Sequence, residues 1–430
     1  MFRRIVKQAL PTMIAFTMSG MYSVVDGLFV GKAAGDTGLA AINIAWPIPA
    51  VITALGIGIG TGGSVLYSNM KGKGDRDGCR KIFDSTVTWL VLGGVLLSLL
   101  LFALRDPLLK GLGAEGDVLV QARQYTGIII AGSVLQVCGT GITPILRNMN
   151  LSFAAMLSML SGFAVNICVN WYLMFPMGMG IRGAAIGTVT AQLVVLAVSI
   201  LILARTYGER VRPDLQLRTA AGIFRTGFTS FGVSLAPTVA LIFTNWQCLR
   251  YGGNAAVACY AVVSYIVFPV QYLLTGIGDG VQPLLSYYNG AGRPAELSLV
   301  RRTACISAGV LGAATMAAAF LCTPYLAGWF GLSDEAAAFF GQGMRISSLA
   351  FLVTGFAKFN LSYLNAILKT RRAVILTYVE SLAVSPAYLF LLPALLGMTG
   401  IWISLPATAV TMLVLYGITN RKEMSYEEKI

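Results

Sequence analysis

Histidine is absent from all 430 residues, which removes imidazole metal sites and histidine proton relays from consideration. Charge is scarce as well. Asp, Glu, Lys and Arg make up 11% of the chain, against roughly 25% in a soluble domain. Acids are fewer than bases, 18 against 31. The seven cysteines show no Cys-x-x-Cys spacing and read as small buried side chains. No Gly-x-x-x-x-Gly-Lys-Ser/Thr loop occurs, so the usual phosphate cradle for ATP is missing. Without histidine no nucleophile–base pair or metal cluster can be assembled. An enzyme is therefore not expected, and neither is a cofactor.

What the chain has in quantity is apolar surface. Hydrophobic residues make up 56% and the mean hydropathy is +0.75. A bilayer core of about 30 Å takes about 20 helical residues. Twelve segments meet that length, near 9–31, 38–68, 84–104, 118–146, 153–175, 183–204, 223–250, 256–288, 303–322, 336–368, 374–396 and 400–419. The predicted fold class is an all-α integral membrane protein. The basic residues orient it. One side of this layout collects 23 of the 31 Lys and Arg, including Arg3, Arg4, Lys7, Arg76, Arg210, Arg301, Arg372 and Lys429. The other side has Lys32, Arg105, Lys110, Arg123, Arg182 and Arg250. This bias places both termini in the cytoplasm, in the inner (plasma) membrane of the cell. It also accounts for the +13 net charge without a nucleic-acid partner. The first apolar stretch runs too long for a cleavable signal and carries Asp26. The expected state is a monomer in the lipid bilayer.

The sequence repeats itself. Gly56-Ile57-Gly58 with Gly60 matches Gly276-Ile277-Gly278 with Gly280 at an offset of 220. Pro49 and Pro269, Tyr67 and Tyr287, Asn69 and Asn289, and Gly180 and Gly400 agree at the same offset. The stretch 205–222 reads as the linker. Two six-helix lobes follow, 1–215 and 216–430, related by a pseudo-twofold axis normal to the membrane, as in transporters built from parallel repeats.

Ionisable residues inside spans are functional candidates because burial in lipid is costly. Asp26 in span one has no basic residue within a turn on its own helix. Counted from the outer ends, Asp26, Asn170 of span five and Thr188 of span six all lie roughly 8–9 Å deep, with Asn166 one turn below Asn170. A carboxylate, two amides and a hydroxyl at one level can coordinate Na⁺ or hold a proton. A polar cluster that only packs the bundle is the plainer reading. Aligning Asp26 with Asn245 puts a neutral amide in the second half, which confines the cation to the first. In the second half, Lys358 and Glu380 lie on neighbouring antiparallel helices, about 17–20 Å and about 12 Å from the cytoplasmic turn. They form either a structural ion pair or a substrate contact. Asp279, between Gly278 and Gly280, faces either a central cavity or Lys358.

These residues resemble the multidrug and toxic compound extrusion (MATE) family of the MOP superfamily, nearest its MepA-like branch. The resemblance rests on Val25–Gly31, on Asn166–Asn170 running to Gly178–Thr188, on Gln282–Ala291 and on Gly400–Pro406. It implies a secondary antiporter that exports amphipathic, mostly cationic organic compounds by alternating access, in exchange for H⁺ (preferred) or Na⁺. It also implies cation coupling by Asp26, Asn166, Asn170 and Thr188. Asp279, Gln282, Tyr287, Lys358 and Glu380 are the expected substrate-binding set. Asn170 stands where the family commonly has Asp, which leaves one carboxylate. Asp279 and Glu380 stand where uncharged and basic residues are expected, which makes the pocket acidic. Two alternatives are a lipid-linked-sugar flippase of the same superfamily and a major-facilitator transporter. The latter is suggested by the Gly72–Lys81 stretch, which imitates that superfamily's loop signature one residue short.

Overall fold

The computed structural model describes residues 2–207, 211–329 and 334–427. Arg210 of the expected linker and Lys429 lie outside them. Among the described residues there is no strand, and the all-α membrane class expected from composition is what the structure shows. The helices are α1 (Phe2–Ala45), α2 (Pro47–Lys73), α3 (Arg76–Gly111), α4 (Gly116–Ala131), α5 (Ser133–Asn148), α6 (Ser152–Met174) and α7 (Gly180–Tyr207). Then come α8 (Leu217–Gly290), α9 (Pro294–Trp329), α10 (Asp334–Ala366), α11 (Thr370–Val379), a π-helical turn (Glu380–Val384), α12 (Ser385–Leu396) and α13 (Met398–Glu427). Among the described residues ten helical stretches are long and apolar enough to cross a membrane, and α4 with α5, bent by 58°, supply an eleventh. The expected tenth span, 336–368, coincides with the 33-residue α10. That helix has the length to cross the core at about 1.5 Å per residue.

Two glycines break long helices. Gly35 (φ 62°, ψ −162°) kinks α1 and Gly253 (φ 62°, ψ −157°) kinks α8. Positive φ with extended ψ is open to glycine and strained for any residue with a Cβ. The stretch that imitates a major-facilitator loop is a tight helix connection. Gly74 (φ 77°) ends α2, and the Asp75 carboxylate caps α3 by accepting from Gly78 N at 2.8 Å.

The chain forms two compact units, Met21–Leu235 and Met1–Gly20 with Ala236–Ile430. In the first, Ile52, Ile59, Leu90, Ile129, Ile130, Ile145 and Leu146 fill the core. Its linker is fastened down, because Arg212 N donates to Asp84 Oδ1 (3.2 Å) and Asp214 N donates to Thr88 Oγ1 (3.1 Å) on α3. In the second, Phe340, Phe351, Phe359, Leu274 and Trp402 fill the core.

The glycine motif does the same work in both units, and its contacts fix the register of the repeat. A Cβ at Gly58 would lie 3.1 Å from Phe231 Cβ, and one at Gly276 would lie 2.8 Å from Met13 Cα. Gly60 meets Gly141 Cα at 2.6 Å where Gly278 meets Phe359 Cα at 3.2 Å. Gly62 meets Gly227 Cα at 3.0 Å where Gly280 meets Ala9 Cα at 2.6 Å. In every pair both partners are 218 residues apart, not 220. The kinks at Gly35 and Gly253 and the positive-φ residues Asn150 and Leu368 have the same spacing. A Gly-x-Gly pattern matches itself after a slip of two, and the agreements Pro49–Pro269, Tyr67–Tyr287 and Asn69–Asn289 that favoured 220 fall two residues out of the structural register. In the corrected register Thr244, not Asn245, stands opposite Asp26, and Thr61 stands opposite Asp279.

Candidate functional site

The kink at Gly35 ends the run of α1 that carries Asp26, and the packing of α6 on α7 sets what faces it. Asn166 and Asn170 are one turn apart on α6, hence on one face, and both are buried at 1% exposure. Asn170 Nδ2 donates to Asp26 Oδ1 at 2.6 Å and to Asn166 Oδ1 at 2.8 Å. Three side chains from two helices thus form one continuous chain. Asn170 Oδ1 and Asn166 Nδ2 are left buried without a hydrogen-bond partner, an arrangement that costs about 1–3 kcal/mol per group. Asn170 is held against α7 at Gly187, where any Cβ would overlap its side-chain oxygen.

Thr188 lies next to that glycine. Its hydroxyl donates to Ala184 O at 3.0 Å. The Tyr22 ring stacks on Phe163 (5.4 Å, 12°). Its hydroxyl lies in the neighbourhood of Thr188, Asn166, Asp26 and Tyr125. Tyr22 is one turn before Asp26 on α1, and Tyr125 is buried on α4. Sequence depth did not find these two tyrosines. For Tyr22 the signal was there in its i, i+4 spacing to Asp26; for Tyr125 the bend between α4 and α5 hid it.

The second unit carries a different set. Lys358 Nζ of α10 donates to Glu380 Oε1 at 2.8 Å, with side chains 17% and 16% exposed. Glu380 opens the π-helical turn, in which Ser385 N donates to Glu380 O. Asp279 is half-buried on α8, and Ser362 Oγ donates to its Oδ1 at 3.4 Å. Lys358 is one turn from Ser362 on α10. Gln282, 3% exposed, donates from Nε2 to Ser286 Oγ at 2.7 Å. Tyr287 stands edge-on to Tyr288 at 5.5 Å within the apolar core. The structure therefore joins Asp279 with Ser362 and Lys358 with Glu380, and places Gln282 and Tyr287 on α8 beside Ser286 and Tyr288.

The two units have diverged in their polar interiors. At an offset of 218, Asp26 corresponds to Thr244. Asp279, Lys358 and Glu380 correspond to Thr61, Thr140 and Gly162. Each half carries charge where the other is neutral.

A family model described as MatE matches residues 11–172 and 229–389, one stretch in each half of the repeat. The chain belongs to the MatE family. Its members are transporters, so this chain is a membrane-spanning transporter and not an enzyme. It is 24% identical over 439 residues to the multidrug export protein MepA of Staphylococcus aureus strain NCTC 8325, covering 100% of this chain and 96% of that protein. It is 25% identical to the MepA of Staphylococcus saprophyticus, covering 98% and 94%. Among solved structures it superposes on a MATE protein in complex with MaL6 with a TM-score of 0.91 at 22% identity, covering 99% and 97%. It also superposes on a MOP superfamily transporter of Pyrococcus furiosus, whose binding pocket of reverse polarity suggests a different function for that protein (TM-score 0.89, 22% identity, 99% and 96% covered). These MATE-type neighbours share the fold. Membership sets aside the major-facilitator alternative and matches the tight connection seen at Gly74 and Asp75.

Proposed function

We propose that this MatE transporter is a secondary antiporter of the plasma membrane that exports amphipathic, mostly cationic organic compounds in exchange for H⁺. The observation that carries the proposal is the chain Asp26–Asn170–Asn166 inside the first unit of a MatE protein. Asp26 is the coupling residue, alternating between a cation-loaded and an empty state. Asn170 presents its N–H rather than its oxygen to Asp26. A donor there leaves Na⁺ one oxygen ligand fewer, which supports H⁺ as the coupling ion. The resemblance to the MepA proteins supports multidrug export. So does the interior of the second unit, where Asp279, Lys358 and Glu380 sum to one net negative charge and disfavour anions. Sixteen methionines and 10% aromatic residues adapt to varied apolar shapes. Coupling follows from reciprocity: a cation that favours one state and cargo that favours the other weaken each other's binding equally. We assign the lobes to 1–215 and 216–430, with both termini cytoplasmic and the protein a monomer. Ethidium efflux from cells expressing the protein tests the reading. Clear transport of an anionic or lipid-linked compound without any cationic-dye efflux would overturn it.

A further inference from the structure

We propose that Lys358 is a tethered cation that occupies Glu380 in the empty transporter, and that cationic cargo binds there by displacing it. Lys358 thereby sets how strongly charged a cargo must be to enter the site. The inference rests on the transport reading above and goes beyond it.

The fold does not require this ion pair. The first unit builds the same helix seam, Gly60 on Gly141 as Gly278 on Phe359, with Thr140 and Gly162 where the second has Lys358 and Glu380. The pair is also not sealed, since each side chain keeps about one-sixth of its surface open (17% and 16%). A structural pair in a core is commonly closed off, because its desolvation is only offset by complete satisfaction. The backbone at Glu380 is special too. Pro386 has no N–H to give to Leu382 O, and the chain widens into a π turn with Ser385 N on Glu380 O. Such turns inside α-helices are frequent at functional sites. The first unit has α6 in that place and no π turn among its described residues.

Charge completes the argument. Lys358 neutralises Glu380, and the Asp279 carboxylate stands nearby, its Oδ1 accepting from Ser362 Oγ at 3.4 Å. Displaced from Glu380, Lys358 has a second carboxylate one helical turn away, because Ser362 at i+4 touches Asp279. Cargo can take Glu380 without stranding the ammonium. An internal competitor lowers apparent affinity by the fraction of time the site is free, so a pair closed about nine-tenths of the time costs cargo about tenfold.

The test is equilibrium binding to the purified full-length transporter. Tetraphenylphosphonium, a permanent monocation that cannot titrate, is compared with neutral triphenylphosphine oxide. Lys358→Met should tighten tetraphenylphosphonium about tenfold and leave the neutral ligand unchanged. Lys358→Gln, which keeps polarity if the Met variant does not fold, should act in the same direction. In a Glu380→Gln background the tightening should vanish, since the two residues act through each other. A Lys358 variant that binds the cation no better, or that tightens both ligands equally, overturns the proposal, as does the absence of cation binding to every form. Binding and tightening without gradient-driven export by the native protein would overturn the transport reading and leave displacement standing. Export without tightening overturns displacement alone.

Discussion

Gly187→Ala is a test of the site that leaves its charged residue untouched. A Cβ at Gly187 would overlap Asn170 Oδ1 and stand 2.9 Å from its Cγ, with the Asn170 backbone N at 3.3 Å. The backbone distance is tolerable, and the side-chain overlap is relieved when the Asn170 amide swings away. The fold should therefore survive while the amide leaves Asp26 and Asn166. Two hydrogen bonds are lost, the one to the carboxylate worth about 1.5–3 kcal/mol and the neutral one about 1 kcal/mol. A loss of about 2 kcal/mol or more corresponds to roughly 30-fold in an equilibrium constant. Gradient-driven dye transport in proteoliposomes should fall by at least about tenfold after partial rescue by water, with a fall of only a few degrees in melting temperature. Gly222→Ala is the matched control, because the nearest atom to its Cβ is Leu66 Cδ1 at 3.5 Å. Wild-type transport by Gly187→Ala would refute the view that Asn170 organises the site. A large fall in melting temperature with proportionate loss of transport would refute the reasoning about what moves.

Other outcomes follow from the same geometry. Gly60→Ala brings a Cβ to 2.6 Å from Gly141 Cα, backbone on backbone, so α2 and α5 must part; thermal unfolding should report a loss of about 1–3 kcal/mol, whereas Gly417→Ala, which meets nothing within 4 Å, should not destabilise. An imposed H⁺ gradient in Na⁺-free buffer should drive transport, and drive by a Na⁺ gradient at fixed pH alone would reverse the choice of ion. A tag at the C-terminus should be accessible from the cytoplasm and a cysteine at Lys32 from outside; cytoplasmic access to both would reject the orientation.

Much of this was legible in the sequence for simple reasons. Hydropathy over about 20 residues measures the bilayer directly, so the spans needed no tertiary knowledge. Depth counted along helices grouped Asp26, Asn166, Asn170 and Thr188, because at 1.5 Å per residue position along a helix is height in the membrane. Rotation about the helix axis is what such counting does not contain. Tyr22 and Tyr125 enter the site through the faces they present, and Gly187 through the space it leaves for Asn170. The repeat shows the same limit. Alternating glycines in Gly56–Gly62 and Gly276–Gly280 match at two offsets, and only the partners they meet, Gly141 or Phe359, select 218. The π turn at Glu380 arises from a missing N–H at Pro386, which the sequence marks, but its width is set by packing.

The central claim is that Asp26 couples cation movement to export, and Asp26→Asn tests it most directly. The amide nearly matches the carboxylate in shape and keeps an acceptor for Asn170 Nδ2, now at 2.6 Å from Asp26 Oδ1, so the protein should fold and bind tetraphenylphosphonium. Reconstituted in proteoliposomes under an imposed H⁺ or Na⁺ gradient, the variant should show no gradient-driven dye transport where the native protein does. Transport by Asp26→Asn at the native rate under the same gradient would contradict the account.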